Sequence, residues 1–224
     1  MLKRVAAAAG GEALPPVRQR LRSEALALAE AERLVDAAFC YRIVDLEALA
    51  SAHLRVGGEV LHAPRLLPES GRLTAVACGV CTLGPALETR IAALFSERRV
   101  ALAVALDQLS NLLLFEASRR MEDRIALDVS RRRLTMAGEL RAGDPGLAIE
   151  AQGAVARLAG AESKGIRVTG GYALHPQKST SVVFGVGIDL PPASWSRCDD
   201  CASRAKCCHP GRRALAEAGA GAAR

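Results

Sequence analysis

Four thiols and one imidazole fall within twelve residues: Cys198, Cys201, Cys207, Cys208 and His209. Two thiolates spaced as Cys198-x-x-Cys201 can bind one soft metal ion, so this segment points to zinc or an iron–sulfur cluster. The short connections leave little room for an apolar core, and a bound metal would supply the order. Reduced, unligated thiols are the competing reading. A second pair, Cys78-x-x-Cys81, joins such a site only if the tail folds back, and Cys78 falls in an apolar run that reads as a strand.

Two further clusters suit a small ligand. Residues 140–146, Leu140-Arg141-Ala142-Gly143-Asp144-Pro145-Gly146, are dense in Gly and Pro and read as consecutive turns. Gly143 and Gly146 would let a flat ligand approach the main chain. In an otherwise greasy helix, Asp107, Ser110 and Asn111 lie three and four residues apart, hence on one face. A carboxylate in that setting needs a partner or a cleft. Glu116, nine residues on, faces the other way. Lys178 and Ser179 echo a nucleophile pair, but neighbours on a strand point to opposite faces. No dinucleotide or P-loop fingerprint and no hydrolase triad occurs.

The elements that must position these groups can be read from periodicity. An amphipathic helix is expected over 17–38, a strand over 39–44, and a short helix from Asp45 to Ala50. A hairpin over 53–61 turns at Gly57-Gly58. His53 and His62 lack acidic or thiol neighbours at ligand spacing and read as surface histidines. A buried strand over 73–78 leads through residues 79–84 into a helix with Pro85 at its first position and Glu88 complementing its dipole. The second long helix covers 99–124. After the loop come a helix of about fifteen residues and a strand pair. In that pair, residues 166–168 pass through Gly170-Gly171 to Tyr172 and are followed by 180–186. The sum is α+β: a twisted, mostly antiparallel sheet flanked by long helices. The expected organisation is a flexible start over 1–16, one domain over 17–192, a Cys-rich tail over 193–213 and a disordered end over 214–224.

Half the 224 residues are apolar but only 3% are aromatic, so Ala, Leu and Val must build the core by close packing. The net charge is +6, and the basic residues are mainly Arg, which suits anionic ligands or acidic partner surfaces. Arg119, Arg120, Arg124 and Arg131-Arg132-Arg133 make a basic patch, read as solvated surface, with a docking face as the sharper option. Scarce aromatics and the lack of a nucleic-acid motif argue against nucleic acid. No stretch reaches the ~20 apolar residues of a membrane span. Seven cysteines, an odd number, suit a reducing compartment, so the expected location is cytoplasmic.

The loop Arg141 to Gly146, Arg167-Val168-Thr169, Pro176-Gln177-Lys178-Ser179-Thr180-Ser181 and Gly185-Val186-Gly187 together resemble the activation (reactivation) domain family of cobalamin-dependent methionine synthase. Thr82-Leu83-Gly84-Pro85 and Asp107-Gln108-Leu109-Ser110-Asn111 resemble further elements of that family. The resemblance implies binding of S-adenosylmethionine by Asp107, Asn111, Arg141, Gly143, Gly146 and Tyr172. Arg141 would meet its carboxylate, Asp107 its amino group or sulfonium, and the loop backbone with Tyr172 its adenine. It also implies cobalamin on a partner, either a methionine synthase core or another corrinoid protein, together with an electron donor. On that reading cob(II)alamin is reductively methylated, with orientation supplied by the protein. A metal-binding redox adaptor built on Cys198, Cys201, Cys207 and Cys208 is the alternative.

Overall fold

The structure is a computed structural model and describes residues 15–200. Four α-helices and one six-stranded sheet carry it. In chain order they are α1 (Pro16–Ala31), β1 (Ala38–Ala50), β2 (His53–Val56), β3 (Glu59–His62), β4 (Arg72–Thr82), α2 (Ala86–Ser96), α3 (Val100–Arg131), β5 (Thr135–Leu140), α4 (Gln152–Ala159), β6 (Arg167–Val168), β7 (Leu174–His175) and β8 (Ser179–Ile188). The sheet runs β3-β2-β1-β4-β8-β5, with every neighbouring pair antiparallel.

The neighbouring strands β4 and β8 are buried on both faces, and their alternation divides the core in two. Ala75, Ala77 and Cys81 of β4 join Val182, Phe184 and Val186 of β8 beneath α1, α2 and α3. Val76, Cys78 and Val80 join Val183 on the opposite face, under α4 and the β2–β3 hairpin. Strands covered twice read as continuous apolar runs rather than alternating ones. α3 is packed through Leu102, Leu106, Leu109, Leu113 and Met121, all buried. By length and apolarity alone this helix would pass for a membrane span, with a mean hydropathy of 1.5 over its richest 18 residues. Here that apolarity goes into packing on the sheet. Gly79 allows the approach, since a Cβ there would lie 2.9 Å from the Met121 sulfur.

Several expectations need correction. The stretch Asp45–Ala50 is strand, because β1 pairs with β4 as far as Asp45 and with β2 from Leu46 onward. Two ladders outweigh the helix propensity of five residues. α1 stops at Ala31, and Arg33 takes φ 51° to fold the chain back. β4 continues to Thr82 before the turn, and α3 extends to Arg131. The helix after the loop has only eight α-helical residues, between 3₁₀ turns at Ile149–Ala151 and Ala161–Lys164. Residues 167–168 pair with β7 in a separate ribbon, whereas β8 runs between β4 and β5. The hairpin at Gly57-Gly58 stands as read, with φ of 54° and 76° at the two turn residues.

Near Gly187, a register shift in β4 between Leu73 and Ala75 marks a bulge. It brings the Arg72 carbonyl over the strand, so a Cβ on Gly187 would lie 2.0 Å from that oxygen. Backbone cannot retreat as a side-chain tip can. Gly187→Ala is therefore expected to cost about 3 kcal/mol, the upper range for overpacking, measured as a drop in the urea midpoint. A midpoint equal to that of the parent would show that the bulge relaxes freely.

Candidate functional site

β5 ends at Leu140, opposite Val183, while β8 extends back to Ser179. The stretch Ser179–Ser181 is thus paired with β4 alone, and the loop after Leu140 turns away from the sheet. A cleft of about 740 Å³ opens there, between α3, the loop, α4 and the turn at Tyr172. That volume lies within the range of small-molecule sites.

Arg141 is the first residue past β5 and forms the strut of the cleft. Its Nη1 donates to Thr180 Oγ1 (2.8 Å), and its Nη2 to Ser118 Oγ and Glu139 Oε1 (3.2 Å each). Glu122 Oε1 lies 3.5 Å from the same nitrogen and accepts from Ser118 Oγ at 2.7 Å. Glu122 is only 4% exposed, so its charge is held by this network rather than by water. Arg141 Nε is buried and donates to no described residue.

A second guanidinium enters from beyond the sheet. Arg197 forks onto Asp144, with Nε to Oδ2 at 2.9 Å and Nη2 to Oδ1 at 3.1 Å, and lies 3.8 Å from Glu139. Asp144 Oδ2 also accepts the Arg141 N–H at 2.9 Å, closing the loop on itself. Asp144 raises the pKa of Arg197 against the opposing effect of its burial. Two guanidiniums therefore meet Glu122, Glu139 and Asp144, and of these five groups Arg141, Arg197 and Asp144 line the cleft. On the α4 side, Gln152 Nε2 donates to Ser181 Oγ at 3.0 Å. The remaining wall is largely apolar: Leu114, Phe115, Ile149 and Tyr172.

Of the six residues expected to bind S-adenosylmethionine, Asn111, Arg141 and Tyr172 line this cleft. Tyr172 sits at φ 61°, an uncommon conformation for a bulky residue, and is 39% exposed at the rim. Asp107 is not in the lining. It stands one helical turn behind Asn111, and Lys178 Nζ binds its Oδ1 at 2.7 Å and Asn111 Oδ1 at 2.8 Å. The partner required by its place on the helix is thus Lys178. Gly143 and Gly146 shape the loop with φ of 94° and 95° but are not in the lining; a Cβ on Gly146 would strike the Arg65 side chain at 2.9 Å. Ser179 Oγ donates to Pro176 O and to Thr82 Oγ1, apart from Lys178, so no nucleophile pair forms. Glu122 could have been found from the helical spacing 111, 115, 118, 122. Arg197 had no local signal, since its partner is 53 residues away.

Of the proposed metal ligands, Cys201, Cys207 and Cys208 lie outside the described residues, as do the start over 1–14 and the end over 214–224. Cys198 is half-buried with a free thiol. Among the described residues no three His, Cys, Asp or Glu side chains gather as a metal site. Cys78 and Cys81 cannot share an ion as a pair: three apart on one strand, they enter opposite core faces.

No protein-family model matches the chain, and no curated protein matches it. Among solved structures, the crystal structure of the MetH reactivation domain bound to AdoHcy is similar, with a TM-score of 0.57 and 12% identity. The match covers 83% of this chain and 70% of that one. The two share a fold, an α+β domain built on an antiparallel sheet.

Burial pushes both the Cys78 and the Cys81 thiol up to about 12. At pH 8 both are protonated and enclosed, and the thiolate is the reactive form. The native protein should leave Cys78 and Cys81 unmodified over an hour with a thiol-specific disulfide reagent, and Cys198 should react. Mass mapping of labelled peptides checks this, and rapid labelling of Cys78 would contradict the described packing.

Proposed function

We propose that the cleft binds S-adenosylmethionine and that the chain serves as a reactivation subunit for a corrinoid protein. The observation that carries this reading is the charge pattern of the cleft within a reactivation-domain fold. S-adenosylmethionine bears an ammonium, a sulfonium and a carboxylate, one net positive charge. The charged end of the cleft offers guanidiniums for the carboxylate and the Asp144 carboxylate for a cationic centre. The apolar half, with Tyr172 and Phe115, suits the adenine ring.

In the role implied by the sequence resemblance, one electron from a donor and the sulfonium methyl group convert cob(II)alamin on the partner to methylcobalamin, leaving S-adenosylhomocysteine. This chain's part is to hold the nucleoside and aim its methyl group outward. The partner is a methionine synthase core or another corrinoid protein. The open cleft at the sheet edge gives the ligand one exposed side, which such a transfer needs.

Equilibrium dialysis with labelled S-adenosylmethionine tests the reading. Saturable binding is expected, roughly tenfold tighter than for the uncharged thioether S-adenosylhomocysteine, a difference of about 1.4 kcal/mol. Arg141→Ala should weaken it at least tenfold, but it also removes the strut and lowers Tm. The exposed Tyr172→Ala should weaken it roughly five- to tenfold, in keeping with the loss of one aromatic contact, with Tm unchanged. Absence of binding at millimolar ligand removes the proposal.

A further inference from the structure

The charged end of the cleft is only partly made by the domain that the sequence delimits at residue 192. Residues 189–200 leave β8, cross the β5 edge and return to the cleft. Trp195 seats itself where Gly138, at φ 69°, has no side chain; a Cβ there would meet its ring at 3.1 Å. Trp195 Nε1 donates to Arg65 O at 3.1 Å, and the Arg65 guanidinium lies 5.3 Å from the Trp195 ring. Arg65 Nη2 then pairs with Asp200 Oδ2 at 2.6 Å, and Ser194 Oγ donates to Glu69 Oε1 at 2.9 Å. These anchors hold the segment on both sides of Arg197.

The two guanidiniums differ in what they have left to give. Arg141 gives both terminal nitrogens to the protein, to Thr180, Ser118, Glu139 and Glu122, its unpartnered Nε is buried, and its side chain is 15% exposed. Arg197 uses Nε and Nη2 on Asp144, and no hydrogen bond to a described residue uses its Nη1. Its side chain is 27% exposed and lines the cleft. We infer that residues 189–200 are a structural wall of the ligand cleft and that Arg197, rather than Arg141, grips the carboxylate of the bound amino-acid moiety. Arg141 is then a positioning residue. Cys198 follows Arg197 directly, and its N–H is pinned to Ser196 Oγ at 3.2 Å. The thiol segment therefore begins at the cleft mouth. Ligand occupancy and the accessibility of Cys198 are coupled, and such coupling acts equally in both directions.

The inference rests on S-adenosylmethionine being the ligand, and its test separates the two claims. Dialysis on the full chain compares wild type, Arg197→Ala, Arg197→Lys and the control Ser23→Ala, an exposed position on α1. Arg197→Ala should weaken binding ten- to a hundredfold. Arg197→Lys should recover part of the loss, because the charge stays while the fork is lost. Ser23→Ala should bind as wild type. In parallel, alkylation of wild-type Cys198 by an iodoacetamide reagent, mapped by mass spectrometry, should slow at least threefold with saturating ligand. Wild-type binding retained in Arg197→Ala overturns the inference alone and leaves the cleft assignment standing. No binding by wild type overturns both. If Arg197→Ala fails to fold, Arg197→Lys and the alkylation rate decide: unchanged affinity with unprotected Cys198 refutes the inference.

Discussion

A buried carboxylate at the middle of α3 constrains everything around it. Glu122 is almost sealed from water, and an uncompensated charge there would cost several kcal/mol. Its compensation comes from Ser118 one turn earlier and from Arg141, which stands where β5 ends. That requirement fixes the position of Arg141 against α3. Arg141 in turn holds Thr180 on the free edge of β8 and Glu139 on β5. Replacing the pair by apolar side chains of similar volume would preserve stability. It would also fill the end of the sheet where the cleft now opens, so the ionic strut is better understood as holding a space than as adding stability.

The space exists because one edge strand is shorter than its neighbour. β5 leaves the ladder at Leu140, and the next residues must satisfy their own polar groups in turns. They do so compactly: Gly143 N–H reaches Leu147 O at 2.9 Å, Asp144 N–H reaches Arg141 O at 2.9 Å, and the Asp144 carboxylate takes the Arg141 N–H. A loop satisfied internally does not need to fold down onto β8, so Ser179, Thr180 and Ser181 remain open on that side. The pleat of β8 sends Thr180 toward α3 and Arg141, and Ser181 toward α4 and Gln152. One short stretch of strand thereby serves both halves of the cleft.

What the sequence made legible follows the range of the interactions involved. The glycine hairpin, the two long helices and the turn-rich loop depend on neighbours within a few residues, and periodicity finds them. Asn111, Arg141 and Tyr172 were found through local motifs and meet in one cleft. Asp45–Ala50 was misread because its strand is imposed by two partners, one of them reached only through the hairpin. The pairing of β8 depended on which edge was vacant, which no local pattern records. Glu122 was overlooked in favour of Asp107, although only Glu122 is buried. Asp107 lies near the surface and is neutralised by Lys178, 71 residues away. Arg197 was hidden twice, by distance from Asp144 and by the thiols beside it, which drew the segment toward a separate metal-binding role.

Asp144 joins these strands of reasoning. Its two oxygens hold the loop through the Arg141 N–H and the crossing segment through Arg197. A simple anion entering the cleft would have to compete with Asp144 for Arg197, which opposes it. A simple cation would meet two guanidiniums beside one carboxylate and leave the free guanidinium nitrogen unused. At an effective dielectric of about 20, unit charges about 5 Å apart still interact by about 3 kcal/mol, less where solvent reaches them. The arrangement therefore favours a ligand with both signs in one small molecule and with a flat apolar end for the remaining wall. Methyl transfer removes the sulfonium charge and with it one cationic contact, which would weaken the hold on the product once the methyl group has gone.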